Sequence, residues 1–542
     1  MKIYTQSFAI LLFTAFLTVF CFDTYAQNME YLDANNVKAG FAPGGNLFCK
    51  TIRNNVDGPS YEVPKNSGKN AVFTSSFWMT GLDNAGNLHG AVSRYTVNSD
   101  WVTGPISSIY DSVYDSIYKK VYKVSRAEIN YHINNYFKSG YVMPANIQNW
   151  LGNGRAAFNE TALLAPFVDV NRNGLYEPLL GDYPDIIGDQ AVFFVLNDAR
   201  SVSYANCLKM NVELHVMAYV VDCGTDKVLS NTVFLNLKFI NRSTNNYSSV
   251  YFSNFVDPDL GCYRNDRVGC DTLSNSYFTY NGEAIDPLCT SSSKGYGDTS
   301  IVHGFTFLNQ RMDEFNHFYN GATGPMTDPM NCSEYRNYQT ARFKDGTPIR
   351  YGGNGYSSTG PLTKFCFPGN PNDSTGWSEV YSQTPDTILS GDRKMASTIF
   401  LDTFKVNQVR VIDIASVSTL SNTIGHIALV DTFLSDIQHI RSLYQQQFNY
   451  CGKIYSGVRN EVENTFAIEL HPNPTNGKLN VKLTNIGSEA SLVVLSIQGQ
   501  IVRMETITQE ETMLDLSALA KGVYLIKVQS DGNTIVKRVV VQ

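Results

Sequence analysis

The chain has 542 residues, more than a single hydrophobic core accommodates, and a prior of about 150 residues per domain divides it into two to four units. Aromatic residues make up 12% and charged residues only 17%, with 32 Tyr and 31 Phe, a balance that favours extended strands and turns over helices. The formal charge of −7 offers no electrostatic reason for a nucleic-acid partner, and none is expected; a mild acidic balance is compatible with calcium or polysaccharide.

In chain order, the first segment reads as a cleavable secretory signal, residues 1–26. Lys2 supplies the positive charge, Phe8 to Phe20 form the apolar run, and Thr24-Tyr25-Ala26 ends in a small residue before the expected cut ahead of Gln27. An apolar run of roughly 15 residues is shorter than the roughly 20 that a membrane-crossing helix needs. Cys21 follows bulky Phe20, where a lipidation signal wants a small residue. The exported chain keeps Cys49, Cys207, Cys223, Cys262, Cys270, Cys289, Cys332, Cys366 and Cys451. An oxidising compartment predicts that most of these pair, and the odd number leaves at least one over. No CxxC spacing marks a zinc site or a redox dithiol, and Cys262 and Cys270 stand close enough for a loop-closing bridge.

Residues 27–455 read as a β-rich body of two or more subdomains: an antiparallel β-sandwich with long loops and a few helices. One helix is announced by the capping box Ser125-Arg126-Ala127-Glu128, with Ile129, His132, Ile133, Tyr136 and Phe137 at helical spacing up to Gly140. Asp169-Val170-Asn171-Arg172-Asn173-Gly174-Leu175 places oxygen side chains at every second position before a glycine, the first half of an EF-hand-type calcium loop. Calcium takes about six to eight oxygens, so Asp169, Asn171 and Asn173 would give side chains and Leu175 a carbonyl. Position 12 of that loop is Leu180, so Glu177 or Asp182 must replace the missing bidentate glutamate. The alternative is an Asn/Asp/Gly turn held by its own side-chain hydrogen bonds. Strands are predicted over Ala191–Leu196, Asn211–Val221 and Thr232–Ile240. A second calcium candidate is the carboxylate-rich stretch of Asp257, Asp259, Asp266 and Asp271, set against a bridged or solvated turn. A second helix is predicted from Phe433, Ile437, Ile440, Leu443 and Tyr444. Residues 456–465 read as a linker.

Residues 466–542 change texture. Period-2 strands run over Lys478–Leu483, Ser491–Ile497, Ile501–Glu505, Thr512–Leu516, Gly522–Val528 and Ile535–Val541, with turns at Asn476-Gly477, Gln498-Gly499 and Asp531-Gly532. Counting the entering segment Ile468–Leu470, about seven strands make a compact Ig-like sandwich. Pro472 and Pro474 lie where the entering strand must bend.

Three blocks carry a resemblance. Pro472-Asn473-Pro474-Thr475-Asn476-Gly477, then Leu514 to Tyr524 with Gly522, then Lys537-Arg538 before an apolar end, resemble the type A sorting domain of the type IX secretion system. The resemblance implies passage across the outer membrane of a Bacteroidetes-type bacterium, with the secretion machinery and its sorting peptidase as partners. It also implies removal of the tail, followed by release or attachment to lipopolysaccharide. The body's Trp78 to Asp83, Gly346-Thr347-Pro348, Tyr351 to Tyr356 and Gly391-Asp392-Arg393 resemble blocks of large secreted Bacteroidetes proteins that share this tail. That likeness implies a shared fold and no catalytic residues.

Catalytic signatures are absent from the sequence. His89, His132, His215, His303, His317, His426 and His439 form no HExxH or HxH pair, and Gly355 to Gly360 is a near miss to GxSxG without a strand-to-helix context. No phosphate or dinucleotide loop occurs, so no organic cofactor is expected. The reading is a calcium-stabilised, adhesin-like binding or structural protein whose ligand the sequence does not name. The alternative is an exported hydrolase acting on polysaccharide or protein.

Overall fold

The computed structural model describes residues 29–542 except 53–54, 95–97, 201–202, 291–292, 386, 447–448, 452, 455–466, 485–489, 497–500, 510 and 531–532. The expected signal, the expected linker and the turns at Gln498-Gly499 and Asp531-Gly532 lie outside the described residues.

Two nine-stranded antiparallel sheets build the body. The first runs Glu30–Leu32, Lys38–Phe41, Asn46–Leu47, Thr74–Leu82, Tyr247–Asp257, Lys394–Phe404, Glu314–Phe318, with Tyr61–Glu62 and Leu88–Ala91 paired at its flanks. The second runs Val102–Thr103, Gln190–Asn197, Val212–Val220, Thr232–Asn241, Val409–Ser421, Ser300–Phe307, Ser276–Asn281, Asp266–Asp271, with Tyr122–Ser125 against Gln190–Asn197. The predicted strands are therefore present, each within a residue or so of its expected end.

Strand period explains the layering. In Val212–Val220 the side chains of Val212, Leu214, Val216, Ala218 and Val220 enter the core between the sheets, while Met217 and Tyr219 join a second core on the opposite face. Phe239 of the second sheet meets Phe252 of the first edge-on at 5.3 Å. The outer face of the second sheet is closed by helix Leu429–Gln445, which lays Leu429, Phe433, Ile437 and Ile440 on it; Phe433 sits 5.5 Å from Phe278. The outer face of the first sheet is closed by helix Cys332–Tyr338, whose Tyr335 packs edge-on to buried Trp78 at 4.8 Å.

The predicted capping box forms: Ser125 Oγ accepts from Glu128 N, and Glu128 Oε2 accepts from Ser125 N at 2.9 Å. The helix spans Arg126–Asn135 and stops short of Gly140. Past Tyr136, whose N–H still donates to His132 O, the chain tightens into turns, with Lys138 N donating to Asn135 O at 2.8 Å and Tyr141 N to Lys138 O at 3.2 Å.

Disulfides join Cys207 to Cys332, Cys223 to Cys451 and Cys262 to Cys289, leaving Cys49, Cys270 and Cys366 as buried thiols. The bridge that sequence proximity allowed between Cys262 and Cys270 does not form; Cys262 pairs with Cys289. Cys270 lies on the extended strand Asp266–Asp271 and faces the inter-sheet core, where its thiol donates to the carbonyl of Cys366 at 3.4 Å. At about 3.3 Å per strand residue, it is carried beyond the roughly 4.4–6.8 Å Cα separation that a disulfide allows.

In the tail, a three-stranded sheet of Ala467–His471, Lys478–Thr484 and Glu511–Asp515 shares one core with a four-stranded sheet of Ile501–Ile507, Ala490–Ser496, Gly522–Ser530 and Asn533–Val541. Leu479, Val481, Leu492, Val494, Leu514, Ile526, Val528 and Val539 fill that core at alternate positions. The seven strands match the Ig-like expectation.

The Cys207–Cys332 bridge anchors the helix that covers Trp78. Replacing both cysteines with alanine is expected to cost about 2–5 kcal/mol, read as a lower midpoint in urea denaturation; an unchanged midpoint would refute the anchoring role.

Candidate functional site

The Asp169 loop is a closed hairpin tip. Phe167–Val168 pairs with Tyr183–Pro184 and pins its base. Asp169 Oδ1 accepts from Arg172 N at 2.6 Å and Asn173 N at 3.3 Å, and Oδ2 accepts from Gly174 N at 2.7 Å. Gly174 takes φ +80°, a left-handed conformation that costs a glycine little. Asn171 Oδ1 and Asn173 Oδ1 accept from Asn173 N and Leu175 N, and the amides of both asparagines donate to Glu177 Oε2. Asp169, Asn171, Asn173 and Glu177 are thus gathered on one exposed loop. Asp182 is wholly buried beneath it and spends its two oxygens on Val170 N and Glu177 N, so Glu177 stands where a substitute for Leu180 is needed. The oxygens of Asp169, Asn171, Asn173 and Glu177 accept N–H donors of the loop itself, the geometry of the turn reading, and they are the same oxygens that the calcium reading requires.

The second carboxylate set is rearranged relative to its sequence spacing. One carboxylate oxygen from each of Asp257, Asp259 and Asp392 lies within 4.8 Å of the others. Asp257 ends the strand Tyr247–Asp257, Asp259 turns the chain at φ +42°, and Asp392 arrives from the far end of the connection between Glu314–Phe318 and Lys394–Phe404. Burial, then the charges of Asp257 and Asp392, push Asp259 well above the carboxylate range, with Lys394 opposing. Asp266 is fully buried beside them and is also pushed up, by burial and then by Asp259. Asp271 does not join: it sits at the other end of its strand and accepts from Ser274 N at 2.7 Å. Asp392 takes its place.

One group escaped the sequence reading. Glu314 begins the edge strand of the first sheet, is buried, and has an Oε2 with no hydrogen-bond partner. Burial pushes its carboxyl up to about 8 from its ordinary 4.5, against the pull of Lys364 at 3.7 Å. Near it, Arg336 lies 4.3 Å over the ring of Tyr251, which leans on half-exposed Phe400 at 4.9 Å. A lone glutamate at a strand start gives no sequence signal, because its environment comes from distant segments.

Other reactive-looking groups are spent on structure. Among the described residues, no second set of three or more His, Cys, Asp or Glu ligand atoms converges. His215 bonds Glu213 at 2.7 Å in the interior, and His303 bonds Ser418 at 2.8 Å. Ser358 of the GxSxG near miss donates to the carbonyl of Tyr351 within a loop.

The three blocks of the tail close on one another. Thr475 N donates to Val540 O at 2.8 Å, Gln542 N to Thr475 O at 2.9 Å, and Asn473 holds the last strand through Arg538 O and Val540 N. Gly477, at φ +108°, passes so near Ser517 that a Cβ would fall 2.9 Å from its Cα. Gly522 pairs with Val541, and Tyr524 Oη donates to Ala520 O at 2.9 Å. Pro472, Pro474 and Lys537 remain exposed on this unit.

That unit is a sorting module of exported proteins. Residues 469–542 match the family described as the secretion system C-terminal sorting domain, so the chain ends in a type IX sorting domain, engages the type IX secretion machinery, and is delivered to the cell surface or beyond it. No helix among the described residues is long and apolar enough to cross a membrane. No curated protein matches the chain. A solved structure titled "Biofilm associated protein - BSP domain" aligns over 95% of this chain and 80% of its own, at 8% identity and a TM-score of 0.15, too loose a superposition to carry an argument about the body.

For a carboxyl whose folded pKa lies above its unfolded value, the folded state holds the extra proton, so stability falls as pH rises between the two. Glu314→Gln is therefore expected to leave stability near pH 4 unchanged and to raise it at pH 9 by on the order of 2–5 kcal/mol relative to wild type. Urea melts at the two pH values check it, and an equal effect at both would contradict the buried, protonated state.

Proposed function

We propose that the body is a calcium-stabilised, adhesin-like binding or structural protein that the type IX route places outside a Bacteroidetes-type cell. The sorting tail carries this reading, because it makes the body the part that works outside. In this scheme residues 1–26 serve the inner-membrane crossing and are removed. The sorting peptidase then separates the body, 27–455, from the tail, 466–542, at the linker 456–465, and the body is released or joined to lipopolysaccharide. Calcium would be held by Asp169, Asn171, Asn173 and Glu177, with the Leu175 carbonyl, as a brace for an exposed loop; Asp182 supports it from below.

A hydrolase acting on polysaccharide or protein is the second reading, and Glu314 is the observation in its favour. A buried carboxyl that keeps its proton near neutral pH is the state of a general acid, and it stands close to Arg336 and an aromatic pair. Screening the purified protein against glycans and peptides separates the two: turnover abolished by Glu314→Gln selects the hydrolase, and binding without turnover selects the adhesin.

Deleting 466–542 is expected to leave the body in the periplasm, read by fractionation; undiminished appearance outside the cell would overturn the sorting role. Chelation of the purified protein is expected to lower its melting temperature. The stabilisation from one site at a free calcium one hundred times its dissociation constant amounts to about 2.7 kcal/mol, and Asp169→Ala should lose that share of the response. An identical response in that variant would rule this loop out.

A further inference from the structure

We propose that Asp257, Asp259, Asp266 and Asp392 form a second divalent-cation centre, one that clasps the long connection 319–393 onto the sandwich. This centre is independent of the Asp169 loop; either can fail without the other.

The first observation is convergence from separate parts of the chain. Asp257 and Asp259 follow a central strand, and Asp392 lies at the end of the connection, yet their oxygens come within 4.8 Å. The second observation is independent of that cluster. Asp266 is fully buried; its Oδ2 accepts from Leu260 N at 3.1 Å, next to Asp259, and its carbonyl accepts from Gly391 N at 2.9 Å, next to Asp392. Asp266 thus sits at the junction of the two segments that carry the cluster, and its other oxygen, Oδ1, is buried there without a hydrogen-bond partner. A buried carboxylate oxygen left unsatisfied at the junction of the segments that carry three converging carboxylates is the arrangement that an absent ion completes.

The cationic side chains nearby act on Asp259 and Asp392 but also serve other acids. Lys394 Nζ bonds Asp328 at 2.8 and 3.1 Å and Asn320 at 3.1 Å, and Arg393 makes a two-pronged pair with Glu379 at 3.0 and 2.9 Å. The frame is fixed: Phe73 N holds the carbonyls of Asp257 and Pro258 at 2.9 Å, Gly261 N bonds Asn70 O at 2.9 Å, and Cys262 is tied to Cys289. Four carboxylates with no histidine or thiolate among them suit a hard cation with oxygen ligands, calcium before magnesium because magnesium keeps several waters and is rarely held by an all-protein set of oxygens.

The test uses the purified exported protein stripped of metal. Native mass spectrometry with calcium is expected to show one ion fewer in Asp392→Asn than in wild type, and a different single ion lost in Asp169→Ala, so that the double variant loses both. Calcium at one hundred times its dissociation constant is expected to slow proteolysis within 319–393 by about a hundredfold in wild type and not in Asp392→Asn. Equal ion counts in wild type and Asp392→Asn overturn the proposal. So does a wild type whose proteolysis ignores calcium while Asp392→Asn is more resistant without it, since a proton then relieves the repulsion. If Asp392→Asn does not fold, Asp259→Asn is measured in its place, and crystals of the wild type soaked in a lanthanide decide directly. An anomalous peak among the four carboxylates supports the centre, and peaks only elsewhere refute it.

Discussion

Burial of both faces of both body sheets is the constraint on which the rest of the structure depends. Strands such as Gln190–Asn197 and Val212–Val220 have no solvent side, so a partner must cover each outer face. On the second sheet the cover is helical, from Leu429–Gln445 and the helices around Arg126–Asn135. On the first it is the connection 319–393, which carries one short helix and otherwise turns and irregular chain. Irregular chain has few backbone hydrogen bonds of its own, so it must be tied down from outside. The Cys207–Cys332 bridge does this at one end of the connection, and the Arg393–Glu379 and Lys394–Asp328 pairs do it at the other.

Those pairs give a measure for the Asp257–Asp259–Asp392 cluster. Arg393 and Glu379 are both buried and satisfy each other in a planar fork, the geometry in which a buried ion pair offsets its desolvation. Three carboxylates within 4.8 Å have the opposite sign of interaction, roughly 3.5 kcal/mol per pair at an effective dielectric of about 20 when all are ionised. Carboxylates thus outnumber the cations that act on them at the seam where the irregular cover meets the sandwich. The repulsion is relieved by protons or by a cation, and the two differ in what they do to the seam. Protons remove the charge and leave the segments unlinked, whereas a cation links them.

What was legible in the sequence was local. The Ser125–Glu128 box, the central strands and the alternating strands of the tail each depend on neighbours a few residues away, and each stands where the pattern put it. The three tail blocks were legible as motifs, and their meeting around Asn473, Thr475 and Gly477 gives the physical reason they occur together. What the sequence left open or placed differently were contacts across the fold. Cys262 passed over nearby Cys270 for Cys289 because an intervening strand carried Cys270 into the core. Asp271 gave way to Asp392 for the same reason: a strand separates its ends, and a return crossing brings in a residue from elsewhere. Glu314 carries no pattern at all, since only the sheet edge and the chain packed over it make its carboxyl unusual.

The separation between tail and body follows from the same physics. The tail has its own core of aliphatic side chains, supplied by strands that pair only with one another. Its exposed block of Pro472, Pro474 and Lys537 is held by main-chain bonds within the module. The family match covers only this unit, so the tail identifies the route and leaves the body's activity open. The body's own chemistry has to be sought where its layers are incomplete. Two places meet that description: the rim where Glu314, Arg336, Tyr251 and Phe400 gather at the edge of the covered face, and the seam of carboxylates at the opposite end of the same connection. Both lie along the irregular cover of the first sheet, the part of the fold least constrained by packing and so the most able to differ between proteins that share this architecture.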